Sequence, residues 1–120
     1  MPMVEKVRVE ILEVDKVRKR VIAKIGRQRK PDSFLVMVTD KGNIIAQGSR
    51  SICIIDPSTG MGKYNTKGNL FPHLNVAMGA KVGEFPEEFI NALLEVETKP
   101  GEILGYIEGA PVFFGGASEI

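Results

Sequence analysis

The sequence predicts a mainly β fold, a small barrel or sandwich of about seven short strands with one helix, α+β being the neighbouring class. Three observations lead there. Short runs rich in valine, isoleucine and phenylalanine recur along the chain. Glycine, proline, aspartate and asparagine punctuate those runs at short intervals. A single stretch, about 86–97, carries helical periodicity.

The 120 residues are expected to form one domain, 1–120, large enough to bury a core without disulfides. The lone Cys53 excludes an internal disulfide. No apolar run approaches the length of a membrane span, and the N-terminal MPMVEKVRVE has no signal-like apolar core. The expectation is a soluble cytoplasmic protein with no membrane partner. Abundant Lys, Arg and Glu, scarce Gln and absent Trp resemble thermophile usage.

The elements follow in order. In residues 3–14, Val7, Val9 and Ile11 alternate with Arg8 and Glu10, the period of a half-buried strand. Asp15-Lys16 is read as the turn into a second alternating run, VRKRVIAKIG. There Val17, Val21, Ala23 and Ile25 share one face with Lys19, and Lys16, Arg18, Arg20 and Lys24 share the other with Ile22. The pair would form a hairpin with a basic outer face. Pro31 breaks the chain, and the unbroken apolar run Phe34–Thr39 reads as a central strand covered on both faces. Asp40-Lys41-Gly42-Asn43 is a hairpin turn. Residues 44–55 read as one strand interrupted by a bulge at Gly48-Ser49-Arg50. Pro86 opens the helix, Glu87 and Glu88 complement its positive end, Phe85 staples it, and Lys99-Pro100-Gly101 stops it. Residues 102–108 and 111–114 are two last short strands.

The stretch between, 56–83, reads as neither strand nor helix. It is glycine-rich, holds the only histidine, and carries Lys63, Lys67 and Lys81 with no acidic residue after Asp56. Thr59-Gly60-Met61-Gly62-Lys63 superficially suggests a nucleotide phosphate loop. The first glycine of that pattern would fall on Pro57, and Tyr64 stands where a magnesium-binding hydroxyl is required, so a nucleoside triphosphatase is rejected. Glycine-rich backbone beside Lys63 and Lys67 still offers N–H groups to an anion, with Ser58, Thr59, Asn65 and Thr66 in support. If 73–78 were a strand, His73 and Asn75 would share a polar face, and a histidine there can exchange a proton.

Charge is unevenly distributed. Residues 16–83 carry 13 Lys and Arg against Asp32, Asp40 and Asp56, while residues 84–120 carry Lys99 against eight glutamates. Three functional readings follow. The first is a binding module for an anionic partner, nucleic-acid phosphates above all, using the basic hairpin (16–30) and the glycine-rich basic loop (56–83). Its ligand-binding residues would be Arg18, Arg20, Lys24, Arg27, Arg29, Lys63, Asn65, Lys67 and Asn75. The second is a small enzyme or sensor for a compact anionic metabolite such as a phosphorylated small molecule, with Lys63 and Lys67 holding it, His73 as catalytic proton carrier and Asp56 as its carboxylate partner. The third is a homo-oligomer whose basic and acidic regions meet between subunits. No metal site is expected, since Cys53 and His73 have no ligand-spaced partners, and no cofactor is implied. Cys53, in the apolar SICII, is read as a small buried hydrophobe.

Overall fold

The computed structural model describes residues 4–39, 41–49, 51–65, 81–99, 103–107 and 110–113. The elements are β1 (Glu5–Lys6), β2 (Val9–Asp15), β3 (Arg20–Ile25), β4 (Asp32–Val38), β5 (Ile44–Gln47), β6 (Ile52–Ile55), β7 (Met61–Asn65), β8 (Lys81–Glu84), α1 (Glu87–Leu94), β9 (Ile103–Ile107) and β10 (Ala110–Phe113). The mainly β expectation with one helix holds, with the strands shorter and more numerous than expected.

Strands β2 to β8 form an antiparallel meander in which each pairs with its successor, and β1 adds to β8 in parallel. The two edge strands, β1 and β2, belong to one extended segment. At its bend the Val7 N–H donates to Glu84 O at 2.9 Å, and the Gly26 N–H donates to Arg8 O at 2.7 Å. One segment therefore reaches both edges, and the sheet must curl to let it.

A meander sorts its turns alternately to two ends. The turns 16–19, 39–43 and 56–60 lie at one end, with α1. The connections 26–31 and 48–51 lie at the other, where the chain also leaves β7 after Asn65 and enters β8 at Lys81. The first is the helix end of the sheet and the second its far end.

The inner face of the curl is apolar because alternate residues point there. Val21, Ala23 and Ile25 of β3, Phe34 and Val36 of β4, Ile44 and Ala46 of β5, and Cys53 and Ile55 of β6 form the core. The helix completes it with Phe89, Ile90, Ala92 and Leu93. Phe89 meets Phe34 edge-on, with ring centres 6.3 Å apart. It also stacks on Phe85 at 5.9 Å, the staple expected before the helix. Phe85 in turn meets Tyr64 edge-on at 6.3 Å, so aromatic rings run from the helix to β7.

The central run is covered on both faces, as its unbroken hydrophobicity predicts: Phe34, Leu35, Val36 and Met37 are all buried. On the outer face Leu35, Met37, Ile45, Ile52 and Ile54 are buried too, and β9 of the β9–β10 hairpin lies against β4.

Three expectations are corrected. The break after Gln47 is a hairpin connection and no bulge: β5 and β6 pair with each other, and the Gly48 N–H donates to Ser51 O at 2.8 Å. A glycine is needed at this turn because a Cβ on Gly48 would run into Asp32 Oδ2. The glycine-rich stretch is strand at both ends, since β7 and β8 pair with each other and β7 pairs with β6. Backbone pairing overrides weak local propensity there, and Gly62 suits it because a Cβ would strike the carbonyl of Ile54. Finally, the first hairpin turn spans 16–19, so Val17 is 92% exposed and Arg18 sits in the turn, away from the strand face.

Candidate functional site

The cations of the basic segment divide between the two ends. At the helix end, the Asp15 carboxylate accepts the N–H groups of Val17 and Arg18 at 3.1 and 3.0 Å and fixes the turn. The same carboxylate lies 3.9 Å from Arg18 Nε, and Lys16 Nζ lies 3.2 Å from Glu95 Oε1 just beyond α1. Lys19 closes the turn in the left-handed region, φ 56°, and its carbonyl accepts from Val36 N–H at 2.9 Å. Lys16–Glu95 is the one ion pair among the described residues that joins the basic segment to the acidic C-terminal third.

On the strand face the expected basic stripe is interleaved with acid. Register sets Glu10 opposite Lys24, Glu13 opposite Ile22 and Asp15 opposite Arg20. Arg20 lies across the sheet, its Nη1 donating to Ser33 O at 3.3 Å and Ser33 Oγ at 3.4 Å. The first strand's alternation already placed Glu10 on the outward face; the register shift between Ile11 and Glu13, which changes the phase of Glu13 and Asp15, and the pairing with β3 were the unread signals.

At the far end the cations stand differently. Arg27, Arg29 and Lys30 are exposed and make no ion pair among the described residues. The connection that carries them is held by Gln28. Its Oε1 accepts the Ile25 N–H at 3.0 Å, and its Nε2 donates to Ser51 Oγ at 3.2 Å. Beside it Asp32 is 7% exposed and accepts the Ser49 hydroxyl and the Ser33 N–H, both at 2.9 Å. Sequence reasoning missed Gln28, Asp32 and Ser51, because a polar residue beside Pro31 or Gly48 reads as ordinary loop. The Tyr64 hydroxyl lies over Gly26, where a Cβ would stand 2.9 Å from it. Burial raises the Tyr64 pKa, with the Cys53 thiol and Glu5 adding to this and the Arg27 guanidinium opposing it.

The remaining predicted residues fall as follows. Lys63 is exposed on β7, Asn65 ends that strand, and Lys67, His73 and Asn75 lie outside the described residues. Asp56 is at the helix end, where its Oδ1 accepts the Ser58 hydroxyl at 2.7 Å and the Ser58 N–H at 3.0 Å. Those two bonds, hydroxyl first, hold its carboxyl below the ordinary value. The length of β7, roughly 13 Å, separates this turn from the point where the chain passes Asn65 toward Lys67 and His73. Cys53 is buried, and burial, then the charge of Asp32, pushes its thiol far above the range in which a thiolate forms. Among the described residues no group of three His, Cys, Asp or Glu side chains could hold a metal, and no helix is long and apolar enough to cross a membrane. Compared with known protein families, curated proteins and solved structures, the chain matches none of them.

Proposed function

We propose that the protein is a binding module for an anionic partner, nucleic-acid phosphates above all, and that the far end of the curled sheet is its contact surface. The observation that carries this reading is that, among the described residues, Arg27, Arg29 and Lys30 make no ion pair, while Lys16 and Arg18 each have a carboxylate beside them. An exposed cation without an internal partner keeps its full attraction for a phosphate. The Gln28 anchors order the backbone of the connection without consuming these side chains. The binding relies on charge and reads little sequence.

Titration of labelled duplex DNA and RNA against salt tests it. Neutralising about three phosphates gives a log–log slope of roughly −2 to −3 on DNA. The combined variant Arg27→Glu, Arg29→Glu, Lys30→Glu is expected to lose binding by more than about tenfold, while Lys16→Glu with Arg18→Glu changes it by less than about threefold. Undetectable binding in dilute buffer, or equal losses in the two variants, would overturn the reading.

A further inference from the structure

We infer that the far end is arranged for a double helix, DNA or RNA, over a single strand, with Gln28 as the positioning residue that sets the preference; this rests on the anion-binding reading and adds the form of nucleic acid the surface takes. The cations sit on backbone that is held on both sides. Gln28 closes the turn beneath Arg27 twice: its N–H donates to Ile25 O at 3.2 Å, and its Oε1 accepts the Ile25 N–H at 3.0 Å. Gly26, at φ 62°, supplies the left-handed step that this turn requires. The Gln28 Nε2 then reaches Ser51 Oγ at 3.2 Å, and Ser51 is fully buried, so the bond ends on a fixed point. Beyond the cations, Asp32 accepts the Ser49 hydroxyl at 2.9 Å, and its backbone is in register with Ala23 of β3. Arg29 and Lys30 therefore stand between two side-chain bonds to one neighbouring connection, and the ring of Pro31 restricts the span further.

A row of charges on a fixed backbone gains most from a ligand whose phosphates are fixed too. A duplex holds its phosphates at set spacings. A flexible single strand must be ordered on the same template and loses entropy in the process. Single-strand binders offset that loss by stacking bases on exposed aromatic rings. Tyr64 brings its hydroxyl to this end, over Gly26, but the residue is only 9% exposed and its ring meets Phe85 edge-on. That ring is committed to the core and offers no face to a base. The surface is therefore built to hold phosphates and has no stacking platform at Tyr64, a combination that favours the stiffer ligand.

The test uses the full chain with a short labelled duplex and with each of its separated strands, by fluorescence anisotropy at one low salt concentration. The duplex is expected to bind more tightly, and its higher charge density contributes to that. The ratio of the two affinities across variants isolates the contribution of Gln28. Gln28→Leu keeps the bulk and all three cations but removes both side-chain bonds. It should lower duplex affinity by at least about threefold, leave single-strand affinity within about twofold, and leave the salt dependence on duplex unchanged. Ser51→Ala cuts the far anchor alone and should move the ratio the same way by a smaller factor, which keeps the test decisive if Gln28→Leu does not fold. A parent chain that binds both forms equally or prefers single strands, or a ratio that the folded variants leave unchanged, would overturn the inference and spare the anion-binding reading. Binding to neither form would overturn both.

Discussion

The two ends of this sheet carry the same kind of charge and treat it in opposite ways. At the helix end, Lys16 and Arg18 stand beside Glu95 and Asp15, and α1 drives Phe89 into the core beneath them. At the far end, polar side chains hold the backbone while Arg27, Arg29 and Lys30 make no ion pair among the described residues. One end is closed by burying hydrocarbon and pairing charge. The other is ordered by hydrogen bonds that leave the charge available. Counting cations along the chain would not separate them.

The contrast can be broken by substitution, with the largest effect at the helix end. Phe89 is fully buried between Phe34 and Phe85. Phe89→Ala should destabilise the fold by about 3–5 kcal/mol in denaturant unfolding. A loss under about 1 kcal/mol would show that the helix is a loose attachment. At the far end the structural weight falls on Asp32. Asp32→Ala leaves the Ser49 hydroxyl and Ser33 N–H without their acceptor, and about 1–3 kcal/mol should be lost. Faster hydrogen exchange limited to 26–33 and 47–52 is the accompanying signature; unchanged exchange there would separate Asp32 from the turn. The smallest effect belongs to Lys16. Its ion pair with Glu95 is more than half exposed on both sides, so Lys16→Ala should cost under about 1 kcal/mol, vanishing at high salt. A larger, salt-resistant loss would mean that this pair helps to hold the helix in place.

Much of the architecture was legible in the residues. The alternation of Val21, Ala23 and Ile25 marks a one-faced strand, the unbroken run Phe34–Met37 marks one buried on both faces, and Pro86 with Glu87 and Glu88 marks the helix start. Residues 61–65 and 81–84 were not legible as strands, because Gly62-Lys63-Tyr64-Asn65 has no strand pattern of its own. The open edge of β6 supplies the order that local preference lacks. The turn at Gly48-Ser49 was read as a bulge for a similar reason, since apolar runs on both sides look continuous in one dimension. At the candidate site, the cationic segment was visible, but the sorting of its charges was not.

The chain by itself determined what is periodic or local: a β-rich domain with one amphipathic helix, a buried thiol at Cys53, and an excess of cations before Glu84. Tertiary structure alone decided which of those cations are neutralised. That depends on contacts between residues as far apart as Lys16 and Glu95, and on the strict alternation of a meander, which sends Arg18 to one end of the sheet and Arg27 to the other. Coulomb attraction falls with distance through space and takes no account of separation along the chain, so only the fold can assign it.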